Sequence, residues 1–194
     1  MKVLALCGSL RAESVNLALL QTLTEINPNV KVFDGLRDLP LFNPDNEAQE
    51  NAAVTAFRLA LREADAVAIA CPEYAHGIVG AFKNALDWVV GSAEFDQKPT
   101  LLLSALSRSA HAPAQLAEVL KTMGAVVVGP YSAGLPSRVA EAKAALTTPE
   151  AQGKLRGWLQ HLAESHTGCA PCYCIPRRGV VFATRSTRVK SPTC

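Results

Sequence analysis

Apolar and polar positions fall into alternating blocks along this chain: short continuous apolar runs, each followed by a stretch of helical period. Residues 2–7 form an apolar run of strand length, and residues 14–26 set Leu17, Leu20, Leu23 and Ile26 near one helical face. Residues 30–33 make a second short strand. Residues 35–46, rich in Asp, Pro and Asn, read as a long loop. Residues 47–64 are helical, with Val54, Phe57 and Leu61 spaced for a buried stripe. Residues 66–71 are wholly apolar, as expected of a strand covered on both faces, and Pro72 stops the run. A helix over 79–90, a strand over 100–104, a helix over 113–123 ended by Gly124, and a strand over 125–128 follow. After a loop containing Gly134 and Pro136, residues 149–164 make the last helix.

Five strands alternating with five helices predict an α/β fold, a doubly wound parallel sheet with helices on both faces. The first strand-to-helix turn lacks the G-x-G-x-x-G pattern of dinucleotide-binding folds. The expected strand order is therefore 2-1-3-4-5, with ligands beyond the carboxyl ends of the strands where the first and third diverge. That address selects the loops at 8–16, 72–80 and 104–112.

Bulk properties agree. Nearly half the residues (49%) are apolar and 19% are charged, the profile of an ordinary globular domain. No apolar run is long enough to cross a bilayer. The first residues lead directly into a strand with no charged leader, so a cytoplasmic location is expected. Residues 1–168 carry 14 Lys/Arg against 17 Asp/Glu, a net of −3, and offer no basic footprint for nucleic acid. Residues 169–194 contain Arg177, Arg178, Arg185, Arg188 and Lys190 and no acid. The expected division is a domain over 1–168 and a Cys/Arg-rich tail. In the tail Cys169, Cys172, Cys174 and Cys194 have metal-like spacing, while the Pro, Arg, Ser and Thr content favours disorder. No metal site is expected elsewhere. Cys7 and Cys71 read as small buried hydrophobes.

The first loop, Gly8-Ser9-Leu10-Arg11-Ala12-Glu13-Ser14-Val15-Asn16, joins a strand to a helix start. Gly8 permits a sharp turn, and the first amides of the helix face the turn with the positive end of the helix dipole behind them. Read as a cap, the turn accounts for Gly8, Ser9 and Ser14. Arg11 and Asn16 are left over, and they suit a phosphoryl group. In the second loop Gly77 and Gly80 permit close approach to a flat ligand, while Tyr74 and His76 supply an aromatic face and a polar ring. Lys83 and Asp87, one helical turn apart, are placed to pair. Trp88 reads as core or interface. In the third loop Ser109 reads as a possible helix cap and Arg108 as a possible anion contact.

Taken together, Gly-Ser-Leu-Arg-x-x-Ser-x-Asn at 8–16 with Pro-Glu-Tyr and Gly-x-x-Lys-Asn-Ala-Leu-Asp-Trp at 72–88 resembles the NAD(P)H-dependent FMN reductase family, over roughly residues 1–165. The resemblance implies a flavodoxin-like fold and bound FMN. Hydride would pass from NAD(P)H to the flavin, then two electrons to a quinone, azo compound, free flavin or similar small acceptor, in ping-pong order. It implies that Ser9, Arg11, Ser14 and Asn16 hold the FMN phosphate, with Leu10 beside the flavin. Pro72, Glu73, Tyr74 and Gly77 would line its ring, and Ser104 and Ser107 its far side. Tyr74, His76 and Arg108 are candidates for the acceptor wall, and no side chain is required as nucleophile. A homodimer or homotetramer through the helix containing Trp88 is also implied.

This chain departs from the family pattern in two places. The family commonly has Asn after Pro-Glu-Tyr, where this chain has Ala75, a loss of one side-chain hydrogen bond worth ~1 kcal/mol. The family's third loop is usually glycine-rich; here it is Ser104-Ala105-Leu106-Ser107-Arg108-Ser109. Two other readings stay open on the sequence: an electron carrier of flavodoxin type, and a flavin-free binding or regulatory protein of the same fold.

Overall fold

A computed structural model describes residues 1–167. The tail at 169–194, with its cysteines, lies outside the described residues. The elements, in chain order, are β1 (Val3–Cys7), α1 (Val15–Ile26), β2 (Val30–Phe33), α2 (Ala52–Glu63), β3 (Ala66–Ala70), β4 (Glu73–Tyr74), β5 (Gly77–Ile78), α3 (Gly80–Asp87), β6 (Pro99–Ser104), α4 (His111–Thr122), β7 (Val126–Ser132), α5 (Val139–Leu146) and α6 (Pro149–Thr167).

Five parallel strands form one sheet in the order β2-β1-β3-β6-β7, and β4 and β5 pair as a separate antiparallel hairpin. The sequence reading counted no strands between β3 and β6, so its order numbers the last two strands differently. β1 sits between β2 and β3, with Val3 opposite both Val30 and Ala66. β3 continues the sheet to β6, with Val67 opposite Thr100.

Strict alternation on the central strands divides the interior into two layers. Val3, Ala5 and Cys7 of β1, with Ala66, Ala68 and Ala70 of β3, face α1, α5 and α6. Leu4 and Leu6, with Val67 and Ile69, face α2, α3 and α4. In the first layer β3 contributes only alanines. The second takes bulkier side chains, among them Phe57, Phe82, Phe95 and Trp88. Covering both faces explains why β1 and β3 are apolar throughout and why β6 is fully buried around its Leu101–Leu103 run.

The structure corrects several boundaries. The helix expected over 47–64 begins only at Ala52, because the Asn51 side chain caps it through the amides of Ala53 and Val54. The loop over 35–46 contains short 3-10 turns at Gly35–Asp38 and Pro44–Asn46. The last strand runs on to Ser132 through an irregularity after β6 residue Leu101. α5 lay in a stretch read as loop. Its core face presents only Ala142 and Leu146 as buried residues, too few for an apolar stripe.

The 83–88 motif does structural work. Lys83 pairs with Asp87, as expected for residues a turn apart. Asn84 accepts from the Phe42 amide (2.7 Å) and donates to the Pro40 carbonyl (2.9 Å). The Trp88 indole donates to that same carbonyl (2.8 Å) and meets the Phe42 ring edge-on at 5.1 Å. The long loop before α2 is therefore fastened to α3 at Pro40 and Phe42. Asn84→Ala removes two of these bonds, and the expected cost is about 1–3 kcal/mol, read as a lowered urea midpoint.

Candidate functional site

The first loop leaves β1 through Gly8, whose amide donates to the Ala70 carbonyl at the end of β3 (2.9 Å). The contact is closer than a side chain permits. A Cβ at Gly8 would lie 2.4 Å from Cys71 Sγ and 3.0 Å from the Cys71 Cα. This approach sets the 8–16 turn against the start of the 72–80 loop.

Beyond Gly8 the turn delivers donors. Ser14 caps α1, its hydroxyl accepting from the Leu17 amide (3.4 Å) while its carbonyl accepts from Ala18 (2.9 Å). The amides of Val15 and Asn16 have no hydrogen-bond partner among the described residues. Asn16 is itself buried, and its Oδ1 is the one buried side-chain polar atom without a partner among the described residues. The two ends of that amide exchange by rotation about χ2, so the same position serves as acceptor or donor. Ser9 Oγ accepts from the Arg11 amide (3.4 Å), and Arg11 is exposed and forms no ion pair among the described residues. A helix N-terminus with bare amides, a guanidinium outside any ion pair among the described residues and an orphaned buried amide is a donor set that suits an anion. A cap by itself leaves Arg11 and Asn16 unused.

The second loop is a hairpin. Ala75 and His76 form its two-residue turn, at φ 48° and 59°. Positive φ at both central positions is the mark of a type I′ turn, which favours Asn-Gly. Asn is better than Ala there for steric reasons, apart from any bond its side chain makes. The hairpin is fastened to α4 from two sides. Glu73 Oε2 accepts the amides of His111 (2.8 Å) and Ala112 (2.9 Å) at the helix start. Gln115 accepts from the Ile78 amide (3.3 Å) and donates to the His76 carbonyl (3.2 Å). Ser109 is therefore not the helix cap; Ala110 holds that position and Glu73 supplies the carboxylate across the gap. The Glu73 carboxyl is held below its ordinary range, first by the Ala112 amide against some desolvation, then by the His111 amide and the imidazoles of His111 and His76.

The remaining candidates separate into free and occupied groups. Tyr74 is 54% exposed, and His76 is exposed with its ring 4.3 Å from that of His111. Ser107 and Arg108 are exposed. Ser104 is buried, and its hydroxyl donates to the Leu106 carbonyl (2.7 Å), so it shapes its own loop. Leu10 is 43% exposed beside the cradle, and Pro72 and Gly77 are half-buried. His111 and Gln115, one turn apart on α4, were not singled out from the sequence. Their spacing was visible, but the hairpin they meet was not. Burial pushes the Cys71 thiol up to about 11, so it is no thiolate at neutral pH.

A small cleft of about 50 Å³ opens beside the first loop, between Leu10, Arg11 and the Asp34–Arg37 side of β2. A larger one of about 320 Å³ lies at the opposite end of the sheet, by Lys2, Asn29 and Glu63. Ligands of open α/β sheets bind at the carboxyl ends, so size does not decide the site here.

A family model described as NADPH-dependent FMN reductase matches residues 1–139. The chain belongs to the NADPH-dependent FMN reductase family. Among its relatives, an Escherichia coli quinone reductase is 37% identical over 94 residues, which cover 46% of this chain and 50% of that protein. An NAD(P)H-dependent FMN reductase of Pseudomonas aeruginosa is 39% identical over 110 residues, 54% of this chain and 59% of that one. The matched segments thus span about half the length of these curated relatives. The fold is shared with a Paracoccus denitrificans flavoenzyme NAD(P)H:(acceptor) oxidoreductase, with a TM-score of 0.70 at 24% identity, covering 84% of this chain and 98% of that one. Membership of the FMN reductase family agrees with the flavodoxin-like strand order, and no described helix is long and apolar enough to cross a membrane.

Two outcomes follow for this FMN reductase family member. Glu73 has a depressed native pKa, so its contribution to stability is present above the unfolded carboxylate value of about 4.3 and is lost as pH falls through the native one. In urea titrations across the acid range, the stability advantage of the native chain over Glu73→Gln shrinks as pH drops. Ala75→Gly relieves the left-handed turn and raises stability by about 0.5–1 kcal/mol, while Ala75→Val lowers it, both read from urea midpoints.

Proposed function

We propose that this chain is an FMN-dependent oxidoreductase that takes hydride from NAD(P)H and passes two electrons to a small-molecule acceptor such as a quinone, azo compound or free flavin. The observation that carries the reading is Asn16 Oδ1, buried without a partner among the described residues at the N-terminus of α1, in the loop that also carries Arg11, which is in no ion pair among those residues. The donor set fits a phosphate monoester joined to a polyol, the terminal part of FMN, because Asn16 can donate to the one and accept from the other. Ser9, Arg11, Ser14 and Asn16 hold the phosphate, and Leu10 contributes backbone beside it.

When bound, the flavin supplies hydride acceptance and two-electron release. The protein positions it. Pro72, Glu73, Tyr74 and Gly77 line the ring through their backbone, while the Glu73 side chain keeps the hairpin on α4. Ser104 supports the far side by holding its loop, and Ser107 faces that side. Tyr74, His76 and Arg108 form the wall the acceptor meets, with the exposure a small substrate needs. Backbone donors at the ring edge stabilise negative charge there. Residues 1–168 act as one flavin-binding unit without affinity for nucleic acid or membrane. The unit works in the cytoplasm as a homodimer or homotetramer, for which Leu41, Leu59 and Val90, apolar and more than half exposed, offer contact surface on the α2–α3 side.

FMN added to the apoprotein is expected to bind with quenching of its fluorescence, and the reconstituted protein to oxidise NADH or NADPH with benzoquinone. Arg11→Ala is expected to weaken FMN at least tenfold, the loss of a charge-assisted contact to phosphate, while riboflavin affinity is unchanged. Flavin binding without nicotinamide oxidation would favour an electron carrier. Absence of flavin binding would leave a flavin-free binding protein.

A further inference from the structure

Glu73, His76 and His111 come together at the junction of the hairpin and α4, with one ligating atom of each within 4.8 Å of the others. Among the described residues they are the one group of three metal-ligating side chains so placed. We propose that this junction is a binding site for a divalent transition ion of the zinc class, held by two imidazoles and one carboxylate. The sequence reading expected no metal in this domain.

The donor set is that of a three-ligand zinc site with an open fourth position. Tetrahedral zinc with bonds near 2.0–2.1 Å needs donors about 3.3 Å apart, so the groups must close by at most about 1.5 Å. Both imidazoles are exposed and turn without displacing core. Their rings lie 4.3 Å apart and inclined at 46°, within about an ångström of the roughly 5 Å that two imidazoles on one tetrahedral ion require. The main chain beneath them is fixed. Gln115 holds the His76 carbonyl, and His111 is the first residue of α4. Glu73 Oε2 is occupied by the two helix amides, which orients the carboxylate and leaves Oε1 for the ion. The positive end of the α4 dipole opposes a cation at this place, and the Glu73 charge lies between the two.

An ion bound there ties β4, the turn and α4 into one piece. Resting on the functional reading above, the same ion stiffens the acceptor wall at His76 and slows turnover.

The test is calorimetric titration of the full chain with ZnCl2, without flavin, after alkylation of its reactive thiols under native conditions. One site is expected. His76→Ala, His111→Ala and Glu73→Gln are each expected to weaken it about tenfold or more. Circular dichroism checks that each variant is folded. Co2+ should give a ligand-field spectrum without a thiolate charge-transfer band, lost in His111→Ala. Equal zinc affinity in the native chain and both histidine variants overturns the site, and so does a cobalt spectrum dominated by thiolate. These readouts need no flavin, so they stand or fall apart from the reductase reading. In reconstituted protein, zinc should slow NAD(P)H oxidation by the native chain and not by His111→Ala. Binding without slowing overturns the link to the acceptor wall and leaves the ion site standing.

Discussion

The absence of a side chain at position 8 is the constraint from which the site follows. β1 and β3 are neighbours, and at their carboxyl ends the two chains approach until a Cβ on Gly8 would meet Cys71 Sγ at 2.4 Å. The 8–16 turn cannot be pushed away from the 72–80 loop without breaking the Gly8–Ala70 bond, and it cannot be filled without moving Cys71. Two loops more than fifty residues apart in sequence thus share one wall. The third joins through Glu73, which reaches from the hairpin to the first amides of α4.

The elements legible in the sequence were those whose pattern is enforced by burial. β1 and β3 are sealed between helix layers and read as unbroken apolar runs, and β6 as an apolar run at Leu101–Leu103; α1 carries its own Ser14 cap. α5 escaped notice because alanine makes most of its contact surface and gives little contrast between faces. The start of α2 was placed too early because residues 47–50 contain good helix formers, and the Asn51 cap was overlooked. The hairpin was hidden for another reason. Its two-residue strands are too short for any periodicity, and its turn lacks the Asn-Gly that advertises a type I′ turn.

The site was legible to the same degree. The candidate residues at 8–16 lie within one strand-to-helix turn, so their grouping is visible in a local stretch of sequence. The partners of the second and third loops are tertiary. No spacing rule connects Glu73 to the amide of His111, or Gln115 to Ile78, across almost forty residues. The 83–88 motif teaches the reverse lesson. It carried much of the family resemblance, yet Asn84 and Trp88 direct their polar groups at Pro40 and Phe42, so what that signature preserves is largely the anchoring of a loop.

No hydrogen-bonded anchor of the hairpin uses a side chain of its tip. Glu73 and Ile78 hold the two legs, and Gln115 grips the His76 carbonyl, a group any residue at that position provides. The side chain at 76 thus carries no anchoring hydrogen bond among the described residues, while position 75 is limited by its positive φ. A new pair there alters what the protein meets at its surface while its supports remain in place. The tip is a socket for variation within what a left-handed turn admits.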